Sequence, residues 1–102
     1  MMKSFGDMMK QAQKVQKQMG ELQEKLGEER YEASAGGGTV RAVVDGKQIL
    51  KELKISPETL KDGDVTLIED LVITAIGEAQ RTSAEKMAEA YAKLTGGFKL
   101  PF

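Results

Sequence analysis

Phe5, Met8, Ala12, Val15, Met19, Leu22 and Leu26 follow one another in alternating steps of three and four residues. That is the spacing of a coiled-coil seam, and it holds for three heptads without a miss. The residues between are mostly Gln, Lys, Glu and Met, all good helix formers. The chain is therefore expected to open with a helix from about Ser4 to Leu26, whose apolar side is a narrow stripe. Gly20 is a weak point on its flank, and Gly27 stands where a C-cap glycine belongs.

The period then changes. In RYEASA, Tyr31, Ala33 and Ala35 alternate with Glu32 and Ser34, as in a strand with one covered face. Gly36-Gly37-Gly38 reads as a turn; it lacks the Lys-Ser/Thr and the strand-to-helix setting of a phosphate-binding loop. TVRAVV and KQILKELKI flank Asp45-Gly46, which predicts a hairpin with a two-residue turn. In the second of these strands Lys51, Leu53 and Ile55 share one face; the register before Leu50 stays open and is compatible with a bulge. SPETLKDGD reads as a loop, punctuated by Pro57 and Gly63. A long helix follows from about Asp64 to Leu94, with Asp64 or Thr66 as its cap and Thr66-Glu69 at capping-box spacing. Its apolar face is wide at first, from Ile68 to Ala79, then thinner and alanine-rich through Met87, Tyr91 and Leu94. Thr95-Gly96-Gly97 stops it.

The expected fold is α+β, an α-β-β-β-α single domain over residues 1–102. The helices would be about 35 and 45 Å long. A three-stranded sheet is only about 14 Å across and about 20–25 Å along its strands. Both helices must project beyond it, and an apolar seam on the projection needs a cover. They pair with each other, with a second chain, or both. A homodimer is the preferred solution, and twofold symmetry is the commonest kind.

The charge pattern fits such an arm. The net charge is only −1, which argues against a chain that coats any polyanion. Residues 1–20, however, carry Lys3, Lys10, Lys14 and Lys17 against Asp7, a net of +3. Residues 81–102 carry Arg81, Lys86, Lys93 and Lys99 against Glu85 and Glu89, a net of +2, which leaves −6 for the middle. The first helix runs into the sheet and the last runs out of it, so folding would bring the two basic ends together on one projecting arm.

Lys10, Lys14 and Lys17 form one helical stripe, read as lying opposite the seam. Such ammonium groups suit phosphate contact by counterion release; a solvated helix face is the plainer alternative. Lysines early in a helix oppose the macrodipole, so stability alone does not ask for them there. Lys86, Lys93 and Lys99 come late, where the dipole favours cations, and rank second. Phe5 and the tyrosines fit packed faces better than base stacking. With no His or Cys in the chain, a transition-metal site or a nucleophile motif has no basis. Glu28-Glu29 and Glu69-Asp70 suit helix ends or solvent better than catalysis. No cofactor, small-molecule substrate or membrane span is expected; MMKSFGDMMK is too charged for a signal peptide, and the default compartment is the cytoplasm.

The run MMKQAQKVQKQMGELQEKL resembles the opening helix of the YbaB/EbfC nucleoid-associated family. GGGTVRAVVDG, ELKISPE, LIEDLVITAI and LTGGFKLPF resemble its later segments in the same order. The stretch between GG and LPF is shorter than the family's usual glycine- and proline-rich tail, and fewer arginines precede ELKI than in some members. The resemblance implies a tweezer-shaped homodimer that binds double-stranded DNA in the nucleoid, with no enzymatic activity. On that reading the DNA-contacting set is Lys3, Lys10, Lys14, Lys17, Lys86, Lys93 and Lys99, and the lysine-rich stripe, with no Arg or Asn grouped to read bases, implies weak sequence specificity. The rival is a helical-arm protein-interaction or chaperone-like module that does not bind DNA.

Overall fold

The structure is a computed structural model that describes residues 4–61 and 63–94. Its elements are α1 (Phe5–Glu28), β1 (Tyr31–Ala35), β2 (Val40–Val44), β3 (Leu50–Ile55), α2 (Pro57–Lys61) and α3 (Val65–Leu94). The sheet is antiparallel in the order β1-β2-β3. The molecule measures 71 × 26 × 16 Å with a radius of gyration of 19.8 Å; a compact chain of this length would have about 13 Å. The difference is the projecting helical arm.

One face of the sheet packs on α3. Val40, Ala42 and Val44 point into it and are buried, with Tyr31, Ala33 and Ala35 beside them. From α3 come Ala75, Ala79 and Ser83, four residues apart along one line. Small residues in that line let the helix axis close on the strands, while Leu71, Val72 and Ile76 fill the flanks. The helix lies over β1 and β2 and leaves β3 at the margin, so Leu50 and Leu53 remain 40% exposed. The opposite sheet face carries Glu32, Arg41, Glu52 and Lys54 and is open.

Four local expectations are corrected. The hairpin is not closed by Asp45-Gly46 alone. Asp45 and Ile49 pair through Asp45 N–H to the Ile49 carbonyl (2.9 Å), enclosing residues 46–48. Gln48 takes the left-handed conformation (φ 68°), which completes a three-residue loop. The two-residue form loses because the Asp45 carboxylate instead accepts the N–H groups of Lys47 and Ile49 (2.8 and 3.0 Å). The face assignment in β3 also shifts. Val43 pairs with Glu52 and Val44 with Leu50, so Lys51 is the extra residue of a bulge. The bulge returns Leu50 to the side of Leu53 and Ile55. Within SPETLKDGD the chain forms α2, a five-residue helix beginning at Pro57, where proline's fixed φ suits the first helical position.

The fourth concerns helix ends. α1 runs through Gly27 to Glu28 and stops at an extended Glu29, whose N–H bonds the Leu26 carbonyl. Gly27 therefore serves no left-handed cap. Ser4 caps the start, its hydroxyl accepting the Asp7 N–H (3.2 Å). For α3 the choice falls on Asp64, whose carboxylate accepts the Leu67 N–H (3.0 Å), and Thr66 lies inside the helix. Gly36, Gly37 and Gly38 form the β1–β2 turn with φ of 63°, 69° and 92°, a backbone that other residues rarely adopt. No described helix is long and apolar enough to cross a membrane.

Candidate nucleic-acid interface

The arm is fixed to the sheet at one buried junction. Leu26, at the end of the seam, is 1% exposed. Its carbonyl accepts the Gly46 N–H at 2.7 Å, so α1 is hydrogen-bonded directly to the hairpin loop. A Cβ on Gly46 would lie 2.5 Å from that same carbonyl oxygen, and only glycine allows the approach. Ser83 of α3 donates to the Asp45 carbonyl (2.7 Å) and Gln80 to the Gln48 carbonyl (3.2 Å). The segment from Asp45 to Gln48 thus grips both helices where they meet the sheet.

Asp45 is buried at this junction. Burial alone would push its carboxyl pKa up. The backbone N–H groups of Ile49 and Lys47, with the Lys51 and Lys47 ammonium groups, outweigh that and hold it below the usual 3.8. The carboxylate stays charged because four surrounding donors and cations satisfy it.

Beyond the junction the helices run antiparallel. Gln23 donates to the Tyr91 hydroxyl at 3.4 Å, and Met19 and Val15 share a groove with Tyr91 and Leu94. Exposure along the seam rises steadily outward. Leu26 is at 1%, Met19 at 39%, Val15 at 47%, Met8 at 59% and Phe5 at 78%. Leu22 is half-buried and Ala12 is exposed. Within the described residues, α3 covers only the inner part of the seam.

The expected basic set falls at two levels of the arm. Lys86 and Lys93 of α3 border one recess with Lys25 of α1. Lys25 was not expected there. It sits in the last turn of α1, where the helix dipole explains a lysine without any partner, and only the packing of α3 shows that it joins a cluster. The recess also contains Glu29 and Glu89, and Glu89 pairs with Lys86 at 3.7 Å. Tyr31 lines it too, its hydroxyl donating to the Glu29 carboxylate. That bond, with burial and the charges of Glu29 and Glu89, pushes the Tyr31 hydroxyl up to about 12.

Lys10, Lys14 and Lys17 lie farther out and are exposed. None of the three has a carboxylate within ion-pair distance among the described residues. Lys14 is not opposite the seam as the heptad implies; it borders the groove with Tyr91 and Leu94. The basic ends therefore share one side of the sheet but are staggered. Lys10 is fifteen residues from Lys25, about 22 Å along α1. Lys3 and Lys99 lie outside the described residues.

A small sheet held by one helix, with a lysine-bearing helical arm drawn out from a loop junction, defines an arm-bearing α+β protein. The chain belongs to the YbaB/EbfC DNA-binding family, whose model matches residues 2–98. It is 49% identical over 94 residues to a nucleoid-associated protein of Desulforamulus reducens, covering 92% of this chain and 90% of the relative. It is 40% identical over 98 residues to a nucleoid-associated protein of Caldanaerobacter subterraneus subsp. tengcongensis, covering 96% of this chain and 88% of the relative. The fold also matches the crystal structure of the uncharacterized protein HP0035 from Helicobacter pylori. The TM-score is 0.85 at 18% identity, over 92% of this chain and 99% of that one.

Proposed function

We propose that the protein binds double-stranded DNA as a homodimer, through phosphate contacts of weak sequence specificity, and contributes to nucleoid organisation and gene regulation. The carrying observation is the exposed stripe of Lys10, Lys14 and Lys17, which no carboxylate among the described residues neutralises. Unpaired ammonium groups keep condensed counterions to exchange, so phosphate contact gains the full release entropy. The inner lysines Lys25, Lys86 and Lys93 are tempered by Glu29 and Glu89 and contribute less. Family membership and the names of the relatives support the same reading. Lysine without grouped arginine or asparagine suits backbone contact rather than base readout.

Dimerisation is supported by what α3 leaves uncovered. Ile49, Leu50 and Leu53 form an apolar strip along the β3 margin, each 40–50% exposed, and a second copy across that strip would bury it. Light scattering is expected to give twice the chain mass. Three lysines on each of two arms give about six phosphate contacts and a log–log salt slope of roughly −5. Changing Lys10, Lys14 and Lys17 together to Glu is expected to abolish retention on random duplex DNA while circular dichroism stays unchanged. Retention equal to wild type would remove the stripe from the interface. The exposed outer seam also suits an arm that clasps an apolar protein partner; a flat salt response would favour that second reading.

A further inference from the structure

We propose that the groove between the outer part of α1 and the end of α3 receives an acidic amphipathic helix of another protein. The groove has a volume of about 750 Å3. Ala12, Val15 and Met19 line it from α1, and Tyr91 and Leu94 from α3. An apolar surface of this kind, rimmed by polar groups, marks a place where a partner sits. Its charge says which partner. Residues 8–20 of α1 hold Lys10, Lys14 and Lys17 and no carboxylate, and residues 90–94 of α3 hold Lys93 and none. Lys14 itself lines the groove. No carboxylate among the described residues lies within ion-pair distance of Lys10, Lys14 or Lys17. An apolar floor beside uncompensated ammonium groups is complementary to a helix whose apolar stripe is flanked by Glu or Asp.

Shape and side-chain type agree with that occupant. From Met8 to Met19 the seam rises about 16 Å, the length of roughly three helical turns laid alongside. Met8, Met9 and Met19 are 59%, 47% and 39% exposed, and flexible thioethers adapt to the side chains they receive. Other occupants fit less well. A second copy presenting the same seam would bring its own lysines against these, a like-charge contact that opposes pairing. A bilayer surface is too flat to enter a concavity between two helices. A nucleic-acid duplex has no apolar ridge to fill it.

The inference does not depend on DNA binding, and its test uses no DNA. The probe is a fluorescein-labelled peptide of about 18 residues, with leucines at alternating three- and four-residue steps and glutamates on both flanks. A hydrocarbon staple keeps it helical, since so short a chain is marginal alone. With the full-length protein, anisotropy is expected to rise saturably, and amide shifts to concentrate in residues 8–19 and 91–94. The same peptide with lysine for every glutamate should bind at least about tenfold more weakly. Ala12→Glu sets a carboxylate in the groove and should weaken binding of the acidic peptide by a similar factor. Gln13→Glu adds the same charge off the groove and should change it less than about twofold. Both positions are exposed and glutamate is a good helix former, so circular dichroism should match wild type for each. No saturable binding, equal affinity for the two peptides, shifts centred on the β3 margin, or equal effects of the two substitutions each overturns the proposal. Tighter binding of a peptide of residues 5–22 of this chain also overturns it, and gives the groove to a second copy.

Discussion

The two ends of α1 carry the same apolar repeat and meet opposite fates. At the root, Leu26 is buried and its carbonyl is bonded to the hairpin loop. At the tip, Phe5 and Met8 stand mostly in solvent among the described residues. The repeat alone cannot distinguish them. What separates them is the length of α3, which stops level with Val15 and Met19. The root is a stability element, held by backbone contacts that tolerate no extra atom. The tip is a surface element, where lysines are displayed and the described residues leave the seam open.

The comparison breaks most readily at Gly46. Gly46→Val would drive a side chain into the Leu26 backbone, which cannot rotate away, and strain the bond between them. A loss of about 4 kcal/mol is expected in chemical denaturation. A change of a few tenths would mean that the root yields easily. Leu26→Ala should cost about 3 kcal/mol. Met8→Ala, on the same seam, should cost no more than about 1 kcal/mol, because Met8 is already mostly exposed among the described residues. Equal values would erase the distinction between root and tip.

Charge at the root sharpens the contrast with pH. Asp45 has a folded pKa below its ordinary 3.8. Its contribution is complete above that value and is lost as pH falls through the folded pKa. Asp45→Asn should lower stability by about 1 kcal/mol at neutral pH and flatten the acid limb of a denaturant-midpoint profile. An acid limb of unchanged steepness would place that sensitivity elsewhere. The smallest effect is expected at Tyr31. Its raised pKa means that stability is fully present below pH 10 and fades as pH rises toward about 12. Tyr31→Phe should cost about 0.5–1 kcal/mol at neutral pH and remove that alkaline loss. An unchanged alkaline profile would show that the Glu29 bond does not bear on stability.

Much of the fold was legible because periodicity is local. The seam from Phe5 to Leu26, the alternation in Tyr31–Ala35, and the wide face of Ile68–Ala79 each specify an element without reference to distant chain. The family resemblance was legible from ordered segments spread over nearly the whole length. The hairpin was located correctly but closed differently, because Asp45 uses its carboxylate to hold Lys47 and Ile49 rather than forming the shorter turn. Ser83 was missed as a core residue. A lone serine in a helix carries no sign that its hydroxyl will meet the Asp45 carbonyl.

The sequence by itself determined that two helices outrun a small sheet, and that both chain ends are basic. Those facts follow from residue spacing and charge order, which need no partner to be defined. Only the tertiary structure decided that Lys25 joins Lys86 and Lys93, that the two basic levels are staggered along the arm, and that Gly46 rather than Gly27 is the indispensable glycine. Each depends on how far one element slides past another, and translation between packed elements is set by side-chain fit across the contact rather than by the period of either one.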